Sequence, residues 1–166
     1  MNNVIHDGTN DFTPFVLALT QDLSGRLKQI TVVDRYIYRS QHMKKLNAFS
    51  MACRELENKV NLRVLTSEHE YLKMSTNYSK EDARKKYTGK LSPHCDELLL
   101  MEATKGVKPP HDRYIIIEST NGIRYFSGTN TLFQGDGEKR FTMIDRVLEP
   151  ELFKHLKMTT KKEEEA

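Results

Sequence analysis

The sequence predicts an α/β fold, a mixed β-sheet flanked by helices, and three stretches predict it. Leu27 to Tyr38 and Asn61 to Thr66 are short apolar runs rich in β-branched residues. The segment between them carries a helical stripe, so strand, helix and strand form a βαβ unit with a parallel pair. Its stripe is Leu46, Phe49, Cys53, Leu56 and Val60, stepping by 3, 4, 3 and 4 within Met43–Val60. Farther on, the apolar run from Arg113 to Glu118 and the run from Arg124 to Leu132 flank Asn121-Gly122, a strong turn signal that joins them as an antiparallel hairpin.

The remaining elements follow in order. Residues 1–11 are polar, with Gly and Asn, and read as a loose lead-in. Thr13 as N-cap and Pro14 at the first helical position open a helix whose apolar positions are Phe12, Phe15, Val16, Leu19 and Leu23; Ser24-Gly25 stops it. The first strand ends in Asp34-Arg35-Tyr36. Asp34 there either caps the following loop or faces a ligand, since the carboxyl edge of an open α/β sheet is where ligands bind. Cys53, on the helical stripe, reads as a small core residue.

Between Ser67 and Lys90 the chain is polar. Ser79-Lys80-Glu81-Asp82 resembles a capping box, and Arg84, Lys85, Lys86 and Lys90 after it form either a solvated face or a phosphate-contacting one. Ser92-Pro93 begins another segment, and Leu98 to Met101 is a buried run. His94-Cys95-Asp96 has no second pair at metal-ligand spacing, so no metal site is expected. A loop at Phe133–Lys139, a last strand at Arg140–Asp145 and a short helix from Glu149-Pro150 to about Met158 complete the domain, residues 12–158. Residues 159–166 read as a charged flexible tail.

A length of 166 residues suits one domain with a continuous core. No apolar stretch approaches the ~20 residues that span a bilayer, and no signal peptide is visible. Two cysteines are too few for a disulfide framework. The expectation is a cytoplasmic protein without a cofactor. A net charge of +3 is only mildly basic, so a nucleic-acid partner has to be argued from local clustering.

The hairpin supplies that argument. Pro109-Pro110 forces an extended approach, His111 and Arg113 open the first strand, and Gly128-Thr129 closes the second. The start of one antiparallel strand lies beside the end of the next, so these residues meet at one end of the sheet. His111 there either caps the strand, with Arg113 paired to Asp112 or Glu118, or belongs to a phosphate-facing site.

These residues resemble the phospholipase D superfamily, built on His-x-Lys-x(4)-Asp opening a strand and Gly-Ser-x-Asn after a hairpin. This chain has His111-x-Arg113-x(4)-Glu118 and then Gly128-Thr129-Asn130-Thr131. It looks closest to the divergent His-Asp-Arg branch, which includes bacterial proteins linked to phage and mobile elements and the C-terminal domain of some MIT-domain proteins. The resemblance covers roughly Leu27 to Leu152 and implies one half-unit of that fold. It implies His111 as a nucleophile on phosphorus, Arg113 as a phosphate clamp, and Glu118 at the motif's acid position. Glu138 would orient the histidine, and Gly128, Thr129, Asn130 and Thr131 would form the phosphate-holding corner. Catalysis in that family needs two histidines, so a single-motif chain would act as a homodimer.

Arg replaces Lys, Glu replaces Asp, and the asparagine stands one residue early. These changes favour a degenerate module that binds a phosphate-containing ligand, nucleic acid foremost, without turnover. The alternatives are a metal-independent phosphodiesterase or nuclease, and a scaffold subunit of a bacterial defence or mobile-element assembly.

Overall fold

The computed structural model describes residues 3–6, 9–56, 60–103, 113–128, 133, 141–146 and 156–160. Strands β1 (Asn3–His6), β2 (Leu27–Val33), β3 (Asn61–Thr66), β4 (Glu97–Ala103), β5 (Arg113–Ser119), β6 (Gly122–Gly128), β7 (Phe141–Arg146) and β8 (Leu156–Thr160) form one sheet. Helices α1 (Thr13–Thr20), α2 (Ser40–Leu56), α3 (His69–Met74) and α4 (Lys80–Leu91) complete the described elements, with a 3₁₀ turn at Ser92–His94. The sheet order is β1-β7-β6-β5-β2-β3-β4-β8. The fold is α/β, as expected.

Strand β2 is the boundary. It runs parallel to β3, which is parallel to β4, and antiparallel to β5 on its other side. The chain moves outward from β2 through β3 and β4, then returns to the opposite flank of β2 with β5, β6 and β7. Such a reversal opens a crevice at the carboxyl ends of the strands. One register row crosses the whole sheet: Asn3, Ile144, Ser127, Tyr114, Val33, Leu65, Leu99 and Thr160.

Side-chain alternation gives the sheet two unlike faces. Ile30, Val32, Leu62, Val64, Ile115, Ile117 and Phe126 form one core with Phe15 and Leu19 of α1, Leu46, Phe49 and Cys53 of α2, and Tyr87 and Leu91 of α4. Fully burying such side chains contributes about 1.5–3 kcal/mol each. The other face is apolar near the carboxyl ends, at Val33, Leu65, Leu99, Met101 and Tyr114. Toward the opposite end it turns polar: Asn61 Nδ2 donates to Gln29 Oε1 (3.1 Å), and Gln29 Nε2 donates to Glu118 Oε2 (2.6 Å).

The hairpin tip is clasped by the loop before β2. Thr120 N–H donates to Arg26 O (2.9 Å), Arg26 N–H donates to Thr120 Oγ1 (3.0 Å), and Ser119 Oγ donates to Ser24 O (2.8 Å). Gly25 has φ +87°, and a Cβ there would stand 2.3 Å from Thr120 Oγ1, so both the backbone and the contact require glycine.

Several expectations need correction. The lead-in contains β1, an edge strand paired with β7; its four residues show no periodicity because a distant strand stabilises it. β2 ends at Val33 instead of continuing to Tyr38, since Asp34 turns the chain. Helix α2 spans Ser40–Leu56 and leaves Val60 beside β3. The hairpin turn is centred on Thr120-Asn121, between Ser119 and Gly122, with Ser119 Oγ accepting the Asn121 N–H (3.2 Å). Phe12, not Thr13, is the N-cap of α1, and Asp11 Oδ1 takes the Thr13 N–H (3.1 Å). Helix α3 lies within a stretch read only as polar. Met158, expected in a final helix, belongs to β8, where cross-strand pairing to Met101 overrides local propensity, and β8 reaches Thr160 of the expected tail. No helix among the described residues is long and apolar enough to cross a membrane.

Candidate functional site

One step beyond the register row, at the carboxyl edge, Gly128 pairs with Arg113 across the β5–β6 hairpin. Asp34 follows Val33 on the next strand and donates its N–H to Leu65 O (3.0 Å), which brings it level with the end of β3 at Thr66. Gly128, Arg113, Asp34 and Thr66 thus stand on consecutive strands at one edge. By parity they share the helix-covered face, since Phe126, Ile115, Val32 and Val64 precede them by two positions toward the core. The site lies where the sheet changes from parallel to antiparallel.

Asp34 is only 1% exposed. Its Oδ1 accepts the Tyr36 N–H (2.8 Å) and lies 3.6 Å from Arg113 Nε, whose side chain is 15% exposed. One carboxylate therefore shapes the β2–α2 loop and orients a guanidinium brought from β5. Of the two roles left open for Asp34, the loop cap is the one formed, and the same carboxylate also meets Arg113. Above this pair the Tyr36 ring lies under two guanidinium carbons, Arg113 at 4.5 Å and Arg35 at 4.9 Å. Arg39 stands 5.5 Å from the Tyr38 ring. Such contacts are worth about 0.5–1 kcal/mol where exposed.

Two buried groups hold the loop. His42 Nδ1 accepts the N–H groups of Tyr38 (3.3 Å) and Arg39 (3.1 Å) at the start of α2. Burial, aided by the Arg39 charge, lowers the His42 pKa to about 4, so the ring is neutral and able to accept. Tyr87 of α4, fully buried, donates its hydroxyl to Ile37 O and meets Thr66 Oγ1 at 3.0 Å. Burial pushes the Tyr87 hydroxyl pKa upward, which keeps it a donor. The amino end of the 17-residue helix α2 adds its positive dipole to Arg35, Arg39 and Arg113, beside the carboxylate of Asp34.

Of the expected site residues, the structure brings together Arg113 and Gly128. It does not bring Glu118 to them. Glu118 lies five residues along β5, about 17 Å away by strand rise, and the odd spacing turns it to the other face, where it bonds Gln29. The alternative in which Arg113 pairs with Glu118 is therefore not formed. His111, Thr129, Asn130, Thr131 and Glu138 lie outside the described residues.

Tyr38, Arg39, His42 and Tyr87 were not anticipated as part of the site. A signal existed for the first two: Arg35-Tyr36-Ile37-Tyr38-Arg39 alternates cationic and aromatic residues around one buried anchor, Ile37. His42 and Tyr87 had none, because their contacts join segments far apart or turn on backbone geometry. The His94-Cys95-Asp96 cluster disperses: His94 meets Asn47, Cys95 Sγ faces Leu91 O, and Asp96 takes the Leu62 N–H (2.7 Å) and pairs with Arg54. Cys53 is fully buried and its pKa is raised to about 12, so its thiol is inert at neutral pH.

No family model matches the chain, and comparisons with curated proteins and with solved structures return no match.

Proposed function

We propose that the chain is a phospholipase-D-like module that binds a phosphate-containing ligand, nucleic acid, at the carboxyl edge of β2 and β5. The observation that carries this reading is the Asp34-oriented Arg113, set at the switch point beside the Arg35–Arg39 loop. A guanidinium fork suits phosphate oxygens, and its orientation by a buried carboxylate lowers the ordering cost of binding. Arginines interleaved with tyrosines suit a strand that offers both phosphates and bases, more than a bare phosphate group. The pairing of Arg113 with Gly128 at the hairpin mouth fits the family resemblance. Within it, a second copy of the chain would bring a second His111, so the module works as a homodimer in the cytoplasm.

Fluorescence anisotropy with labelled 20-nucleotide DNA and RNA tests this reading. The wild type should bind with affinity falling steeply as salt rises, by a log–log slope of about −0.7 per phosphate contact on a single strand. Arg113→Gln should weaken binding at least tenfold, and Arg113→Lys should recover only part of it because the fork is lost. Salt-independent binding, or none, would refute the reading.

A further inference from the structure

A second cationic surface lies outside the Arg113 site. In α4, Ala83, Tyr87 and Leu91 point into the core, while Lys80, Lys85, Lys86 and Lys90 are exposed. Two neighbouring basic groups are already paired: Arg84 forms a two-point contact with Glu68 (2.5 Å at each nitrogen), and Lys73 lies 3.7 Å from Glu70. Lys80, Lys85 and Lys86 ion-pair with no carboxylate among the described residues. Four lysines against Glu81 and Asp82 leave this face positive.

An aromatic ring stands on it. Tyr78, in the link before α4, is 50% exposed, and the Lys86 ammonium lies 3.6 Å from its ring centre. The neighbouring Lys86 ammonium lowers the Tyr78 hydroxyl pKa. An exposed ring stacked with a cation, among unpaired lysines, combines the two features that bind single strands: a stacking surface for a base and point charges for the flanking phosphates.

The surface is also fixed relative to the Arg113 site. Arg84 ties α4 to Glu68, just beyond the end of β3, and Tyr87 ties it to Thr66 and to the carbonyl of Ile37. The amino half of α4 therefore stands at the same edge of the sheet as Asp34 and Arg113.

We propose that Tyr78, Lys85 and Lys86 form a second contact for single-stranded nucleic acid, which runs from the Arg113 site across the amino half of α4. The proposal rests on the reading of the Arg113 site as a nucleic-acid site. It specifies a single strand, because a paired base offers no face to Tyr78.

The test is anisotropy with a labelled dT20 strand, the same strand annealed to its complement, and, in competition, vesicles containing phosphatidylserine. Tyr78→Ala should lose about 5- to 150-fold in dT20 affinity, the range for one base–aromatic stack, and Tyr78→Phe should retain it. Lys85→Glu/Lys86→Glu should weaken binding and lower the salt slope by about 1.4, two single-strand contacts. All these positions are exposed, so circular dichroism should stay unchanged. If Tyr78→Ala and the double variant bind as wild type while Arg113→Gln does not, this surface is refuted and the Arg113 site stands. If the pattern is reversed, the Arg113 site is refuted and the surface stands. Equal affinity for the duplex, or displacement by the vesicles at low lipid, would overturn the single-strand assignment. Absence of any binding would overturn both.

Discussion

Arg113 and Glu118 close the two ends of β5, and their surroundings differ in kind. At the Arg113 end a buried carboxylate, two tyrosines and two further arginines converge from the β2–α2 loop. At the Glu118 end a carboxylate joins Gln29 and Asn61 in a hydrogen-bonded chain of side chains across three strands of the half-exposed face. The first end is charged, crowded and placed at the reversal of strand order; the second is a hydrogen-bonded ladder on the polar part of the sheet. Pleat parity separates them. Five residues is an odd step, so two charges that flank one apolar run cannot share a face.

The largest test of this contrast is removal of the carboxylate that anchors the Arg113 end. Asp34→Ala strands the Arg113 guanidinium and leaves the Tyr36 N–H without its acceptor, and breaking a buried pair in this way costs about 3–5 kcal/mol. Urea unfolding should show the midpoint falling accordingly. Glu118→Gln keeps a hydrogen-bonding group opposite Gln29 and should cost under about 1 kcal/mol, as for a partly exposed polar contact. Equal losses at the two positions would erase the distinction between the ends.

Ligand binding separates the ends next. A charge-assisted bond to phosphate is worth about 1.5–3 kcal/mol, so Arg113→Gln should reduce oligonucleotide affinity by roughly 10- to 150-fold. Glu118→Gln should change it less than twofold, measured by the same anisotropy titration. A comparable loss in both variants would mean that the ligand covers both ends of β5, which the two-face geometry forbids.

How far these features could be read in the chain depends on the range of the forces behind them. The βαβ unit, the hairpin and the Ser79 cap were legible because local periodicity and turn chemistry specify them; Ser79 Oγ does accept the Asp82 N–H (3.1 Å). The pairing of Arg113 with Gly128 followed from the hairpin alone. Strands β1 and β8 were not legible, since each is held by one distant neighbour, β7 or β4. Nor was the Asp34–Arg113 contact, which joins positions 79 residues apart and requires β5 to return beside β2 in place of extending the sheet past β4. The separation of Glu118 from Arg113, by contrast, follows from the pleat once the two are placed on one strand.

Tyr87 tests whether the Arg113 end depends on α4. Tyr87→Phe keeps the ring against Tyr71, 5.0 Å away, and removes only the hydroxyl that bonds Ile37 O and Thr66. Leaving that carbonyl without its donor should cost about 1–3 kcal/mol in the unfolding free energy. Oligonucleotide affinity should also fall severalfold at temperatures where the variant is fully folded. Unchanged affinity would show that the arginine loop holds its shape without α4, and the Arg113 end would then be local to β2 and β5.

A last expected effect is a pH dependence confined to the same end. His42 has a folded pKa of about 4, lowered by burial and then by Arg39, against 6.5 in an unfolded chain. Between those values the unfolded state binds a proton that the native state refuses, so stability rises with pH across the window. It is fully present above about 6.5, is lost as pH falls toward 4, and falls no further from this group below that. The physical cause is at Nδ1: a protonated ring cannot accept the N–H groups of Tyr38 and Arg39. Urea midpoints measured from pH 7 to pH 4 should therefore decline more steeply for the wild type than for His42→Asn, whose amide oxygen can accept the same bonds without titrating. Parallel declines would assign the acid sensitivity to other groups and leave the two ends of β5 alike in their response to pH.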